Sequence, residues 1–108
     1  MGNYFVYILY SVSFNRTYVG QTNNLSDRLT KHNSGRVRST KAYRPWILIH
    51  SEPFLSRAEA MKKEKWYKLN IGRKKIRELL SLYLAEGNGL SVPILSGRDP
   101  DSVKTESD

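Results

Sequence analysis

Two short segments near the amino terminus, Asn3–Tyr10 (NYFVYILY) and Arg16–Thr22 (RTYVGQT), set the tightest limit on the fold. Both are rich in β-branched and aromatic residues, which suit a pleated, half-buried surface, and polar clusters bound them. Only the polar loop Ser11–Asn15 lies between them, so the pair predicts an antiparallel hairpin.

The rest of the chain must supply what packs on that hairpin. Asn23 or Asn24 is placed to cap a helix whose apolar stripe is Leu25 and Leu29, and Asn33-Ser34-Gly35 ends it with glycine at the usual position. Gly35–Arg44 is a basic loop, closed by Pro45, and Trp46–His50 (WILIH) reads as a third strand. Ser56-Arg57-Ala58-Glu59 has the capping-box pattern and predicts a helix through about Leu69. After Gly72, a last helix over Arg73–Leu84 carries Ile76, Leu79, Leu80 and Tyr83 at helical spacing. The order β-β-α-β-α-α predicts an α/β protein of the α+β type, a small three-stranded antiparallel sheet flanked by helices. Residues 1–86 form one domain in this reading. Residues 87–108 mix Gly, Pro, Ser and charge without period and are expected to be a disordered tail.

Charge narrows the partner. The 108 residues carry a formal net charge of +8, and the surplus lies in residues 1–86, since the tail is acidic. A basic surplus favours a polyanion, because neutralised phosphates release condensed counterions. No basic amphipathic helix stands apart from the fold, so nucleic acid is preferred over a membrane face. No run approaches the roughly 20 apolar residues needed to cross a bilayer. The chain has no cysteine, which removes thiol chemistry and makes a cytoplasmic setting the plain expectation. Walker loops, GxGxxG, HExxH and a nucleophile elbow are all missing, and His32 and His50 offer no zinc spacing.

Several polar groups fall where packing alone prefers apolar ones. On the first helix Arg28 and His32 project beside Leu25 and Leu29, toward the sheet. Each has an ordinary alternative: Arg28 laid along the sheet edge, and His32 a satisfied border residue. Glu64 shares a side of the next helix with Ala60 and Tyr67, and its ordinary alternative is an exposed ion pair with Lys68. Tyr7 and Tyr18 sit mid-strand in the hairpin, where sheet packing is the common fate of a tyrosine. Gly20 inside a strand signals close approach of backbone or ligand.

Together these residues resemble a known family. Phe5-Val6-Tyr7, followed eleven residues later by Tyr18-Val19-Gly20, is similar to the paired signatures of the GIY-YIG nucleases. Leu25–Asn33 resembles the family's helix, with Arg28 at its arginine and His32 one turn on, and Glu59–Glu64 resembles the stretch that ends in its metal-binding glutamate. Phe5 stands in place of the first glycine, and Val6 and Val19 in place of isoleucines.

The resemblance implies an endonuclease that hydrolyses DNA phosphodiester bonds with one Mg²⁺ or Mn²⁺ ion held by Glu64. It implies Arg28 on the phosphate's non-bridging oxygens, Tyr7 as general base or relay, Tyr18 holding water or phosphate in line, and His32 polarising Tyr7 or contacting phosphate. Free tyrosine has a pKa near 10, so Tyr7 needs a neighbouring cation to act as a base at neutral pH. Arg36, Arg38, Lys41 and Arg44 would follow backbone phosphates, with Tyr43 and Trp46 near enough to stack on bases. Repair or recombination is the implied setting, with branched or single-stranded DNA among the candidate substrates. A non-catalytic basic nucleic-acid-binding module on the same fold accounts for the charge equally well.

Overall fold

The computed structural model describes residues 3–86 and the segment 103–105. Strands β1 (Tyr4–Ser11) and β2 (Arg16–Thr22) form the expected antiparallel hairpin, pairing Tyr7 with Gly20 and Leu9 with Tyr18. Helix α1 (Leu25–Asn33) follows, capped by Asn24, whose side-chain oxygen accepts the Asp27 backbone N–H at 3.0 Å. Gly35 closes its carboxyl end at φ +84°, a conformation that glycine reaches without Cβ strain.

Strand β3 (Ile47–Phe54) pairs antiparallel with β1 and runs four residues past His50, where the sequence pattern ends it. The extension crosses Ser51, Glu52 and Pro53, which read as loop. An edge strand tolerates them, because one of its sides owes no ladder hydrogen bonds. Its pairing slips by one residue at Ile49, so Leu48 opposes Leu9 while His50 opposes Ile8. Leu48 packs on the face of Leu9 and Ile49 on the face of Ile8.

Helix α2 (Arg57–Trp66) is capped by Ser56 and ends three residues before Leu69, and helix α3 (Asn70–Ala85) starts three residues before Arg73. The reason is Gly72. It lies inside the first turn of α3, and a Cβ on it would sit 2.2 Å from the Trp66 carbonyl oxygen and 2.4 Å from the Tyr67 Cα. Glycine here permits contact between two helices; it does not break one. The three-stranded antiparallel sheet and three helices follow the expected order. A further short strand, β4 (Val103–Thr105), pairs parallel to β2 and gives the sheet order β3-β1-β2-β4. The remainder of the 87–108 tail lies outside the described residues.

Two cores result, one on each face. Val6, Ile8 and Val19 pack with Ala60, Tyr67 and Ile76 from α2 and α3. Tyr7, Leu9, Tyr18 and Trp46 pack with Leu25 and Leu29 from α1. Strand β1 is covered on both sides, so its residues 6–11 are all buried and its sequence lacks polar alternation. At the β3 edge, Glu52 accepts hydrogen bonds from Tyr67 and from the His50 ring, and Lys63 lies 3.8 Å from its second oxygen. Burial alone would raise the Glu52 carboxyl. The His50 and Tyr67 hydrogen bonds and the Lys63 charge outweigh that and hold it below its ordinary value.

Two tests of this packing follow. Gly72→Ala drives a methyl into backbone and should cost about 1–3 kcal/mol or more, read as a lower Tm in thermal unfolding. A folded-state pKa depressed at Glu52 means stability present above the unfolded carboxylate range and lost as pH falls through the folded value. Tm measured from neutral to acid pH should therefore fall less steeply for Glu52→Gln than for the parent; equal slopes would remove Glu52 as a contributor.

Candidate active site

Strand alternation puts Tyr7 and Tyr18 on the face that α1 covers, two diagonal neighbours with ring centroids 6.3 Å apart. Gly20 lies across from Tyr7, and a Cβ there would stand 2.4 Å from the Tyr7 hydroxyl oxygen. The missing side chain therefore gives the Tyr7 ring room to lean over β2. The close approach signalled by a glycine in this strand is that of a phenol.

His32 completes the cluster from the last turn of α1. Fully buried, its ring stands 5.7 Å from that of Tyr7 and 4.9 Å from that of Tyr18, both edge-on. Its Nε2 is 2.8 Å from the Tyr7 hydroxyl, and its Nδ1 is 2.8 Å from Thr40 Oγ1. The Thr40 hydroxyl also stands 3.4 Å from the Val37 carbonyl, so in the tautomer that carries its proton on Nδ1, His32 donates to Thr40 and Thr40 donates on to that carbonyl. Nε2 is then the bare nitrogen, and Tyr7 donates to it. The hydrogen bonds run one way, from Tyr7 through imidazole and threonine to a backbone carbonyl.

Thr40 is itself held. Its backbone N–H donates to the Val37 carbonyl, and its own carbonyl accepts the Trp46 indole N–H at 2.9 Å. Asn33 secures the loop's far end: its side-chain oxygen accepts the Trp46 N–H at 2.7 Å and its amide donates to the Trp46 carbonyl. Thr40 and Asn33 were not singled out from the sequence. The loop segment containing Thr40 is aperiodic, and short polar residues in loops are too common to flag one.

The remaining expected residues are distributed as follows. Arg28 is half-buried one helical turn before His32. Glu64 is 2% exposed on α2, the helix that packs against Val6, Ile8 and Val19 on the opposite face of the sheet. It is not the surface partner of Lys68, which is exposed and makes no ion pair among the described residues. Arg36, Arg38, Lys41 and Arg44 are all exposed. Arg44 folds back onto its own loop, its Nε donating to the Lys41 carbonyl at 2.7 Å. Trp46 is buried, and the Arg16 guanidinium lies 4.3 Å from the Tyr43 ring centre, covering one of its faces.

A family model described as the GIY-YIG catalytic domain matches residues 3–77. The chain belongs to the GIY-YIG family. Its matched span holds the hairpin with Tyr7, Tyr18 and Gly20, the helix with Arg28 and His32, and Glu64. The UPF0213 protein YazA of Bacillus subtilis is 36% identical over 85 residues, covering 78% of this chain and 80% of its own. The UPF0213 protein YsiG of Lactococcus lactis is 38% identical over 81 residues, 74% of this chain and 77% of its own. The UPF0213 protein SH2523 of Staphylococcus haemolyticus is 38% identical over 65 residues, 59% of this chain and 78% of its own. No solved structure matches the chain.

GIY-YIG nucleases generally use a divalent metal, and the donor chemistry here is compatible with one. Glu64 offers a buried, hard carboxylate oxygen. Among the described residues no three His, Cys, Asp or Glu side chains gather to hold an ion. An ion at Glu64 would thus keep most of its shell as water and phosphate oxygen, which suits Mg²⁺ or Mn²⁺ better than zinc.

The hydrogen-bond direction is open to direct measurement. ¹⁵N spectra of the neutral His32 ring should show a protonated Nδ1 and a bare Nε2. Thr40→Val, which keeps the shape but removes the acceptor, should shift that tautomer balance, whereas Thr40→Ser should preserve it. An Nε2-protonated ring in the parent would reverse the direction argued above.

Proposed function

We propose that this protein is a cytoplasmic, divalent-metal-dependent endonuclease that hydrolyses DNA phosphodiester bonds, with Tyr7 taking the proton of the attacking water. The observation that carries the reading is a buried phenol bonded to an imidazole whose other nitrogen is already committed to Thr40. Such an imidazole can receive a proton only at Nε2, the atom facing Tyr7.

As water attacks phosphorus, its proton passes to the Tyr7 oxygen and the Tyr7 proton passes to His32 Nε2. The imidazolium keeps one N–H toward Tyr7 and the other toward Thr40 Oγ1. The phosphorus–oxygen bond in line with the water breaks, and the departing oxygen takes a proton from solvent. Arg28 supplies directed donors to the non-bridging oxygens, where charge builds in the transition state. Tyr18, which also packs edge-on against His32, holds water or phosphate in line. Glu64 would hold the Mg²⁺ or Mn²⁺ ion, which would supply Lewis-acid stabilisation to the phosphate. The exposed cations Arg36, Arg38, Lys41 and Arg44 follow backbone phosphates beside the cluster, with the Tyr43 ring among them. The substrates in this reading are branched or single-stranded DNA arising in repair or recombination.

The test is cleavage of plasmid and of a panel of branched, single-stranded and duplex DNAs, with Mg²⁺ or with chelator. Tyr7→Phe and Glu64→Ala should each slow cleavage by about 100-fold or more, while DNA binding measured in chelator stays near the parent's. A Glu64→Ala protein that nicks as fast as the parent overturns the carboxylate's role. A parent that binds every DNA and cuts none leaves the non-catalytic binding module.

A further inference from the structure

Residues 62–77 contain eight lysines and arginines and one acid, Glu64, which is buried. These 16 residues thus carry +7 of the chain's +8. Lys62, Lys65, Lys68, Arg73, Lys74 and Lys75 are exposed, and none has an ion-pair partner among the described residues. Lys63 differs: it lies over the Trp66 ring at 4.1 Å and near Glu52, so the fold uses it.

The turn between α2 and α3 concentrates the other six. Gly72 lets the first turn of α3 touch the Trp66 carbonyl and the Tyr67 Cα, so Lys65 and Lys68 at or just past the end of α2 and Arg73, Lys74 and Lys75 at the start of α3 come from segments in contact. The first turn of α3 has no acidic residue and no side-chain cap, so its backbone N–H groups add positive potential at the same place. Like charges gathered without partners repel one another and give the fold nothing back. Between Lys68 and Arg73, Leu69 and Ile71 are 56% and 62% exposed, so the apex is apolar within a basic surround.

We propose that this α2–α3 elbow is a second nucleic-acid-binding surface, separate from the 36–44 loop. Its lysines and Arg73 contact backbone phosphates, while Leu69 and Ile71 rest on the sugars and base edges between them. The inference rests on the nuclease reading for its choice of polyanion. It favours DNA over an anionic membrane because Lys62 and Lys65 share α2 with Glu64, so a strand gripped at the elbow lies against the helix that carries the carboxylate. An apex of two apolar residues also offers a bilayer far less than an amphipathic helix does.

The test is binding of the full chain to a short DNA duplex in chelator, by fluorescence anisotropy across a salt series. Lys65, Lys68, Lys74 and Lys75 are all changed to Gln. At about 0.9 per phosphate contact, the slope of log affinity against log salt should flatten by about 3 to 4, with affinity at low salt down at least about 10-fold. The two-site variant Lys74→Gln with Lys75→Gln, on exposed helix positions, should flatten it by about 2 and guards against a folding defect in the fourfold variant. An unchanged slope in folded variants overturns the elbow while leaving cleavage intact. A flattened slope in a chain that cuts nothing keeps the elbow and removes the nuclease reading. Parent protein that binds phosphatidylserine vesicles in preference to DNA, or binds no DNA, overturns the proposal.

Discussion

Strand β1 is pressed between two helical layers, and that double burial divides the work between alternate residues. Val6 and Ile8 belong wholly to the core beneath α2 and α3. Tyr7, one residue away, turns to the α1 side, where its ring packs and its hydroxyl bonds His32. A phenol suits such a place because one end is apolar and the other polar. The site is therefore part of the hydrophobic core rather than attached to it. Its polar atoms are held in place by the packing that stabilises the sheet, which limits their freedom to reorient.

Two glycines make that packing feasible, by the same device at different scales. Gly20 yields space to a side chain, and Gly72 yields space to a backbone. The first sets how close the Tyr7 ring comes to β2; the second sets how closely two helices meet. In each case the need is for a missing methyl, since neither glycine has positive φ.

Legibility from sequence followed how local each cause was. The hairpin, the Asn24 and Ser56 caps and the order of elements rest on residues close in the chain, and all could be read in advance. Helical spacing placed His32 and Glu64 beside apolar neighbours but left a border position and an exposed ion pair open as alternatives; the structure buries both. What escaped depended on distant contacts. The extra length of β3 across Pro53 requires knowing that it is an edge strand, and the true start of α3 requires knowing what Gly72 touches. Strand β4 joins residues over 80 positions apart in the chain, a pairing that no local pattern announces. Thr40 acquires meaning only once His32 is beside it. The basic run over residues 62–77 was not singled out, because its bearing depends on the contact between α2 and α3 at Gly72.

The Asn33 amide meets both the N–H and the carbonyl of Trp46, as a peptide group would in a ladder. One side chain thereby closes a ring of backbone from the end of α1 to the start of β3. Substitutions at the exposed positions inside that ring do not bear directly on its clasp. The Thr40 crossbar links that loop to the imidazole. The loop's exposed rim and its buried tether are thus different residues, so charges on the rim can change while the imidazole keeps its Thr40 partner.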